Sequence, residues 1–237
     1  MAIDYSKRKP AAAAAPPPAA ASAGGPVSLS KVTLTKNAPS VSLTKQGSAG
    51  GILRVNLNWT AKPAAPAGGG FLKRMAASAT PATDLDLGCL YEFTDGTKGV
   101  VQALGNAFTA NGSFSNKPVI WLDGDDRSGV VTGGENLHVD LAQSKNIRRI
   151  LVFAQIYEGA SNWAAAAGVV TLFPTDGPQV EIQLDEHDPK SRLCAVAMFE
   201  SQNGELVVRR EVRYIQGSQR NLDEQYGWGM QWSAGRK

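Results

Sequence analysis

Residues 27–45 alternate between apolar and polar side chains at every second position, and from Leu85 to about residue 215 strand-like runs recur at short spacing, broken by turn residues. A period of two is the signature of half-buried strands, and it leaves few architectures open. Val27 and Leu29, then Val32 and Leu34, then Val41 and Leu43 alternate with Ser or Thr. The unit Val-Ser/Thr-Leu-Ser/Thr-Lys recurs at Val27 to Lys31, Val32 to Lys36 and Val41 to Lys45. Ile52 to Trp59 alternates again, and strands are predicted at 85–93, 98–104, 118–122, 136–141, 148–157, 168–173, 178–184, 192–200 and 205–215. The helix candidate is short, Ser161 to Ala167, where Ser161 can cap a run of alanines. Without regular strand and helix alternation a parallel α/β sheet is disfavoured, and the expected class is all-β.

Two predicted hairpins are alike: Leu90 to Gly96 and Met198 to Gly204 each place a Glu three residues before an Asp-Gly or Asn-Gly turn. These dipeptides supply the positive φ angles that tight hairpins need. The pair suggests two similar halves facing each other across a sandwich. Residues 1–26 read differently. Lys7-Arg8-Lys9 followed by Ala11 to Ala15 imitates an export signal, but Pro16, Pro17 and Pro18 interrupt the apolar run. Residues 1–26 are therefore read as a disordered Pro/Ala-rich tether, and residues 27–237 as one domain. A Pro/Ala/Gly-rich stretch at 61–83 is read as a surface insertion.

Charge and cysteine content narrow the function classes. Of the formal charge of +3, the segment holding Lys7, Arg8, Lys9 and Asp4 carries +2, leaving +1 for residues 27–237. That is too little for a generic polyanion binder, so nucleic acid is not an expected partner. Cys89 and Cys194 stand far apart in apolar strand patterns, which matches neither a disulfide framework nor a zinc knuckle. No His, Lys or Arg adjoins either one to activate a thiolate, and there is no Cys-x-x-Cys pair. His138 and His187 have no Ser or Cys motif that would suggest a catalytic triad. The chain is expected not to be an enzyme. No stretch of about 18 apolar residues is present to span a bilayer, and a soluble protein of a reducing compartment is expected.

The acidic residues cluster where loops meet strands: Asp84 and Asp86 at one strand start, Asp123, Asp125 and Asp126 in Trp121 to Gly129, and Glu135 with Asn136 after Gly133-Gly134. Calcium takes six to eight oxygens, which short carboxylates and main-chain carbonyls on Gly-rich backbone can supply. In Asp84-Leu85-Asp86 the i, i+2 spacing puts both carboxylates on one side of an extended chain, with Leu85 on the other. The opposing reading is that Asp-Gly-Asp-Asp-Arg-Ser-Gly is only a turn, since Asp and Gly dominate turns. No EF-hand loop is present.

Val41-Ser-Leu-Thr-Lys45, Leu53 to Trp59, Asp84-Leu-Asp-Leu-Gly-Cys-Leu-Tyr91, Gly124-Asp-Asp-Arg-Ser-Gly129, Gly134-Glu-Asn-Leu137 and Ile150 to Tyr157 resemble, in order and spacing, the TerD family of tellurium-resistance and general stress proteins. The Phe-Leu-Lys-Arg insertion, Tyr157 to Trp163 and Tyr226-Gly-Trp-Gly-Met-Gln-Trp232 look most like its TerA branch. The resemblance implies a β-sandwich of two mainly antiparallel sheets, calcium held by acidic loops, a cytoplasmic bacterial location and no established enzymatic activity. Carried over by residue, it puts ligands at Asp84, Asp86, Asp125 and Asp126. The second acidic loop is reduced here to Gly134-Glu135-Asn136, and Asp123 is an extra acid.

The expected function is a non-enzymatic calcium-binding stress-response protein linked to tellurite resistance, working with other tellurium-resistance or stress proteins. The alternative is a metal-independent scaffold of a tellurite-resistance complex. Phe71, Leu72, Lys73 and Arg74 combine apolar and basic character, and a calcium-dependent contact with an anionic membrane or a protein is the sharper reading of that insertion. It would place the protein peripherally at the inner membrane face. Folding of the loop back on its own domain is the plainer reading.

Overall fold

The computed structural model describes residues 31–34, 40–42, 50–60, 82–124, 133–202 and 205–233. The tether of residues 1–26, the insertion segment Phe71 to Arg74, and Asp125 and Asp126 lie outside them. Two mainly antiparallel sheets pack face to face as a β-sandwich. One has seven strands in the order β1 (Lys31–Thr33), β11 (Gln179–Gln183), β10 (Val169–Phe173), β3 (Ile52–Asn58), β8 (Glu135–Asp140), β7 (Ile120–Leu122), β6 (Thr109–Ala110). The other has six: β2 (Ser40–Ser42), β13 (Glu205–Ile215), β12 (Leu193–Gln202), β9 (Ile147–Glu158), β4 (Asp84–Phe93), β5 (Lys98–Val101). A 3₁₀ turn (Leu141–Asn146) and two helices, α1 (Trp163–Ala166) and α2 (Gln219–Tyr226), complete the described elements.

The alternation works as the sequence predicts. In β8, Glu135, Leu137 and Val139 are buried while Asn136, His138 and Asp140 are half-exposed. Leu137 and Val139 join Leu53, Val55, Leu57, Leu85, Leu87 and Cys89 between the sheets. Removing such apolar surface from water contributes about 25 cal/mol per Å². Copies of the short repeat separate: β1 pairs in parallel with β11 in one sheet, and β2 pairs antiparallel with β13 in the other. The two similar hairpins do not face each other. β4 with β5 and β12 with β13 lie in one sheet, on either side of β9. What they share is a neighbour, since β4 of one and β12 of the other each pair with β9.

The strands of the six-stranded sheet are longer and more continuously apolar because a second layer covers its other face. Leu90, Leu151, Phe153, Leu193, Ala195, Met198 and Ile215 pack there under Leu222 of α2 and Trp228. Asp223, 3% exposed, locks this cover by accepting from Gly229 N (2.6 Å), Met230 N (2.8 Å) and Trp232 Nε1 (2.7 Å). Trp228 lies under the Arg149 guanidinium, 3.7 Å from ring centroid to Cζ, and donates from Nε1 to Tyr91 O (3.0 Å). Arg149 also donates to Glu92 Oε2 (2.7 Å) and to the carbonyls of Tyr226 and Gly227. Trp228 is thus a packing residue.

Asp223→Ala leaves three donors without their charged acceptor. We expect a loss on the order of 3 kcal/mol in urea unfolding, with tryptophan fluorescence reporting the release of Trp228. A change near zero in that experiment would refute the lock. A second expectation concerns the β4–β5 turn, where Asp95 accepts from Ser113 Oγ and N (2.7 Å each) and Thr97 N (2.9 Å). The Ser113 bonds foremost hold its carboxyl below the usual carboxylate range. Its folded-state pKa is depressed, so its contribution is complete above about pH 4 and is lost as pH falls further. Acid unfolding of Asp95→Asn should accordingly be shallower than that of the parent.

Candidate functional site

Asp84 and Asp86 open β4, opposite Glu158 and Gln155 of β9. Both are buried, at 8% and 7% exposure. Leu85 and Leu87 enter the core between the sheets, so the two carboxylates share the other side of the strand, as the i, i+2 spacing predicts. Beside Asp86 lies a buried amide cluster that sequence reasoning missed. Gln219, the first residue of α2, donates to Gln155 Oε1 (2.8 Å) and Gln102 Oε1 (3.1 Å). A polar Gln155 in register with Leu151 and Phe153 on an otherwise apolar strand was the available signal.

Glu135 comes to the same end of the sandwich from the facing sheet. It shares the inward side of β8 with Leu137 and Val139, is 3% exposed, and accepts from Leu87 N at 2.6 Å. β5 pairs with β4 only from Cys89 to Glu92, so at Leu87 this carboxylate serves an amide that the ladder leaves unpaired. Gly134 before it has φ +63°, and a Cβ there would fall 2.1 Å from Leu57 O. Only glycine lets this loop run so close to β3.

The neighbouring candidates face elsewhere. Asn136 points to the outer side of the seven-stranded sheet, where its Oδ1 accepts from Arg54 Nη1 and Asn56 Nδ2, both at 3.0 Å. Arg54 in turn lies 3.9 Å above the Phe173 ring. Asp123 is exposed, with Oδ1 2.8 Å from His138 Nε2, and its N–H donates to Asn136 O (3.1 Å). His138 stacks on Trp121 with ring centroids 5.1 Å apart. Asp84, Asp86, Glu135, Asn136 and Asp123 are therefore distributed over several surfaces. Among the described residues no group of three or more His, Cys, Asp or Glu gathers where it could hold an ion.

The remaining candidates fall into place as structural residues. Burial pushes both the Cys89 and Cys194 thiols well up, away from reactivity. His187 is exposed in a loop, where its carbonyl accepts from Asn162. Trp59 Nε1 donates to Thr83 O (2.8 Å), tying together the two ends of the 61–83 insertion. No helix among the described residues is long and apolar enough to cross a membrane.

No family model matches the chain. Its sequence is 44% identical over 211 residues to the tellurium resistance protein TerA of an Alcaligenes species, a match that covers 89% of this chain and 60% of that protein. The chain thus spans about three-fifths of the length of that relative. The crystal structure of a homologue of telluride resistance protein (TerD) from Streptomyces coelicolor A3(2) superposes with a TM-score of 0.47 at 19% identity, over 71% of this chain and 92% of that one. Along nearly nine-tenths of its length the chain is thus similar to a tellurium resistance protein, TerA.

Proposed function

We propose that this chain is a non-enzymatic, calcium-binding module of the tellurium-resistance and stress response. The observation that carries the reading is the pair of buried carboxylates, Asp84 and Asp86, on one side of β4 at the end of the sandwich that Glu135 also reaches. The candidate donors are oxygens only, which suits a hard divalent cation over zinc or copper. Asp84 and Asp86 would hold the ion with Asp125 and Asp126, helped by Asp123 and by one of Glu135 and Asn136, whose side chains the strand turns to opposite faces. A bound ion supplies positive charge that neutralises the carboxylates and stabilises the fold by linkage. The buried, unactivated thiols of Cys89 and Cys194 support a role without redox chemistry. The proposed partners are other tellurium-resistance or stress proteins, in the cytoplasm. Phe71, Leu72, Lys73 and Arg74 would make the calcium-dependent contact with an anionic membrane or a protein.

A second reading, a metal-independent scaffold, is favoured by one observation. Asp123, Asn136 and Glu135 each have internal duties, with His138, with Arg54 and Asn56, and with Leu87 N.

Isothermal titration of the full chain with calcium, magnesium competing, separates the two. Saturable heat and a raised Tm, both lost in Asp84→Ala/Asp126→Ala, are expected; no heat and no thermal shift at high calcium would leave the scaffold. Glu135→Ala leaves the Leu87 amide bare and should lose about 1–3 kcal/mol even in EDTA. If Glu135 also serves the ion, the loss measured in calcium will be larger than in chelator. Equal losses in the two conditions would confine it to its structural duty.

A further inference from the structure

The two outer faces of the sandwich differ. Among the described residues, α2 and Gly227 to Trp232 cover the six-stranded sheet, whereas nothing covers the seven-stranded sheet over β3, β7 and β8. There a groove of about 400 Å³ is lined by apolar Ile52, Pro118, Trp121 and Leu122 together with charged Lys117 and Asp140. Ile52 is 41% exposed, one of the few large apolar side chains so open among the described residues. The Trp121 ring is fixed in advance by its stack on His138, so an occupant meets a preformed wall.

A shallow groove walled by an indole, with a carboxylate in its lining, matches an extended proline segment flanked by basic residues. Proline runs favour the extended polyproline conformation, so a segment of this composition loses little entropy on docking. This chain carries one: Lys7-Arg8-Lys9-Pro10, followed by Pro16-Pro17-Pro18. Residues 1–30 lie outside the described structure, and the chain enters it at Lys31 in β1, an edge strand of this same sheet. β7 is five strand positions away, roughly 24 Å at about 4.8 Å per strand. The stretch from Pro18 to Lys31 spans up to roughly 40 Å when extended and about 20 Å as a random coil. The groove is within its natural reach, and tethering raises the local concentration of the tail to about the millimolar range.

We propose that residues 7–18 of this chain dock in cis on the Ile52–Trp121 groove, with the prolines over the apolar residues and the basic run on the Asp140 side. The tail is then an intramolecular cover for the open face, which a competing proline-rich partner would have to displace. This holds whether or not calcium binds.

The test uses the full chain, comparing wild type with Pro16/Pro17/Pro18→Ser and Lys7/Arg8/Lys9→Ser. The readout is the NMR shift of the Ile52 methyl and Trp121 indole resonances. Both variants leave every described residue of the sandwich unchanged. We expect both resonances to move in each variant, and added salt to shift the wild-type resonances towards those of the basic-run variant. Asp140→Asn keeps the side-chain acceptor that caps the 3₁₀ turn through Ala142 N while removing the charge. In that background the Lys7/Arg8/Lys9→Ser changes should have no further effect. Identical shifts in wild type and both tail variants would overturn the proposal. A perturbation that vanishes on dilution would equally overturn it, because the tail would then be docking on a second copy.

Discussion

Strand β9 must bury both of its faces, and the rest of the molecule is arranged around that requirement. Ile150, Val152, Ala154 and Ile156 enter the core between the sheets, while Leu151 and Phe153 point the other way. One layer cannot satisfy such a strand. The seven-stranded sheet covers the first face, and the C-terminal α2 with its following loop covers the second. Arg149, on the second face, joins the two requirements: its guanidinium lies on Trp228, pairs with Glu92 of β4 and holds the carbonyls that end α2. Desolvating a guanidinium is costly unless its donors and its face find partners, and here each of its three nitrogens donates and its face lies on an indole.

The sheet that provides the cover has a different balance. Its outer residues, Arg54, Asn56, Trp121, Asn136, His138 and Phe173, form a cross-strand row of stacked rings, amides and a cation that satisfies itself laterally. Self-satisfaction within the plane removes the need for a third layer. The same sandwich can therefore have one face closed by its own C-terminus and one face available for contact.

Much of this was legible from the residues. Apolar runs located nearly every long strand to within a residue or two: half-buried β8 and β10 alternate with period two, whereas β4, β9 and β12 are apolar nearly throughout because both of their faces are covered. The short helix at Ala164 to Ala166 was also visible, although it begins at Trp163 and Asn162 caps it in place of Ser161. Helix α2 was not visible. Gln219 to Tyr226 is polar nearly throughout, and Leu222 is its one large aliphatic side chain in the outer core. Its stability comes from Asp223 and from Trp228 beyond its end, which are tertiary contacts with no local periodicity. The two similar hairpins suggested facing halves, but similarity of sequence reflects what a strand touches. One strand of each pairs with β9, so they flank it in one sheet.

The acidic residues show where strand geometry limits what a sequence cluster can mean. Glu135 and Asn136 are adjacent in the chain and looked like parts of one loop, yet in a strand adjacent side chains point to opposite faces. Glu135 turns inward to the β4 amide, and Asn136 turns outward to Arg54 and Asn56. Their side chains therefore cannot serve one ion without breaking the pairing of β8 with β3, which begins at Glu135 and Leu57. Asp84 and Asp86 obey the same rule with the opposite result, since a spacing of two keeps them on one face. Period two thus separates the proposed ligands into a pair that can act together and residues whose first duty is to hold the sandwich. The number of carboxylates in a sequence matters less for ion binding than whether the strand turns them the same way.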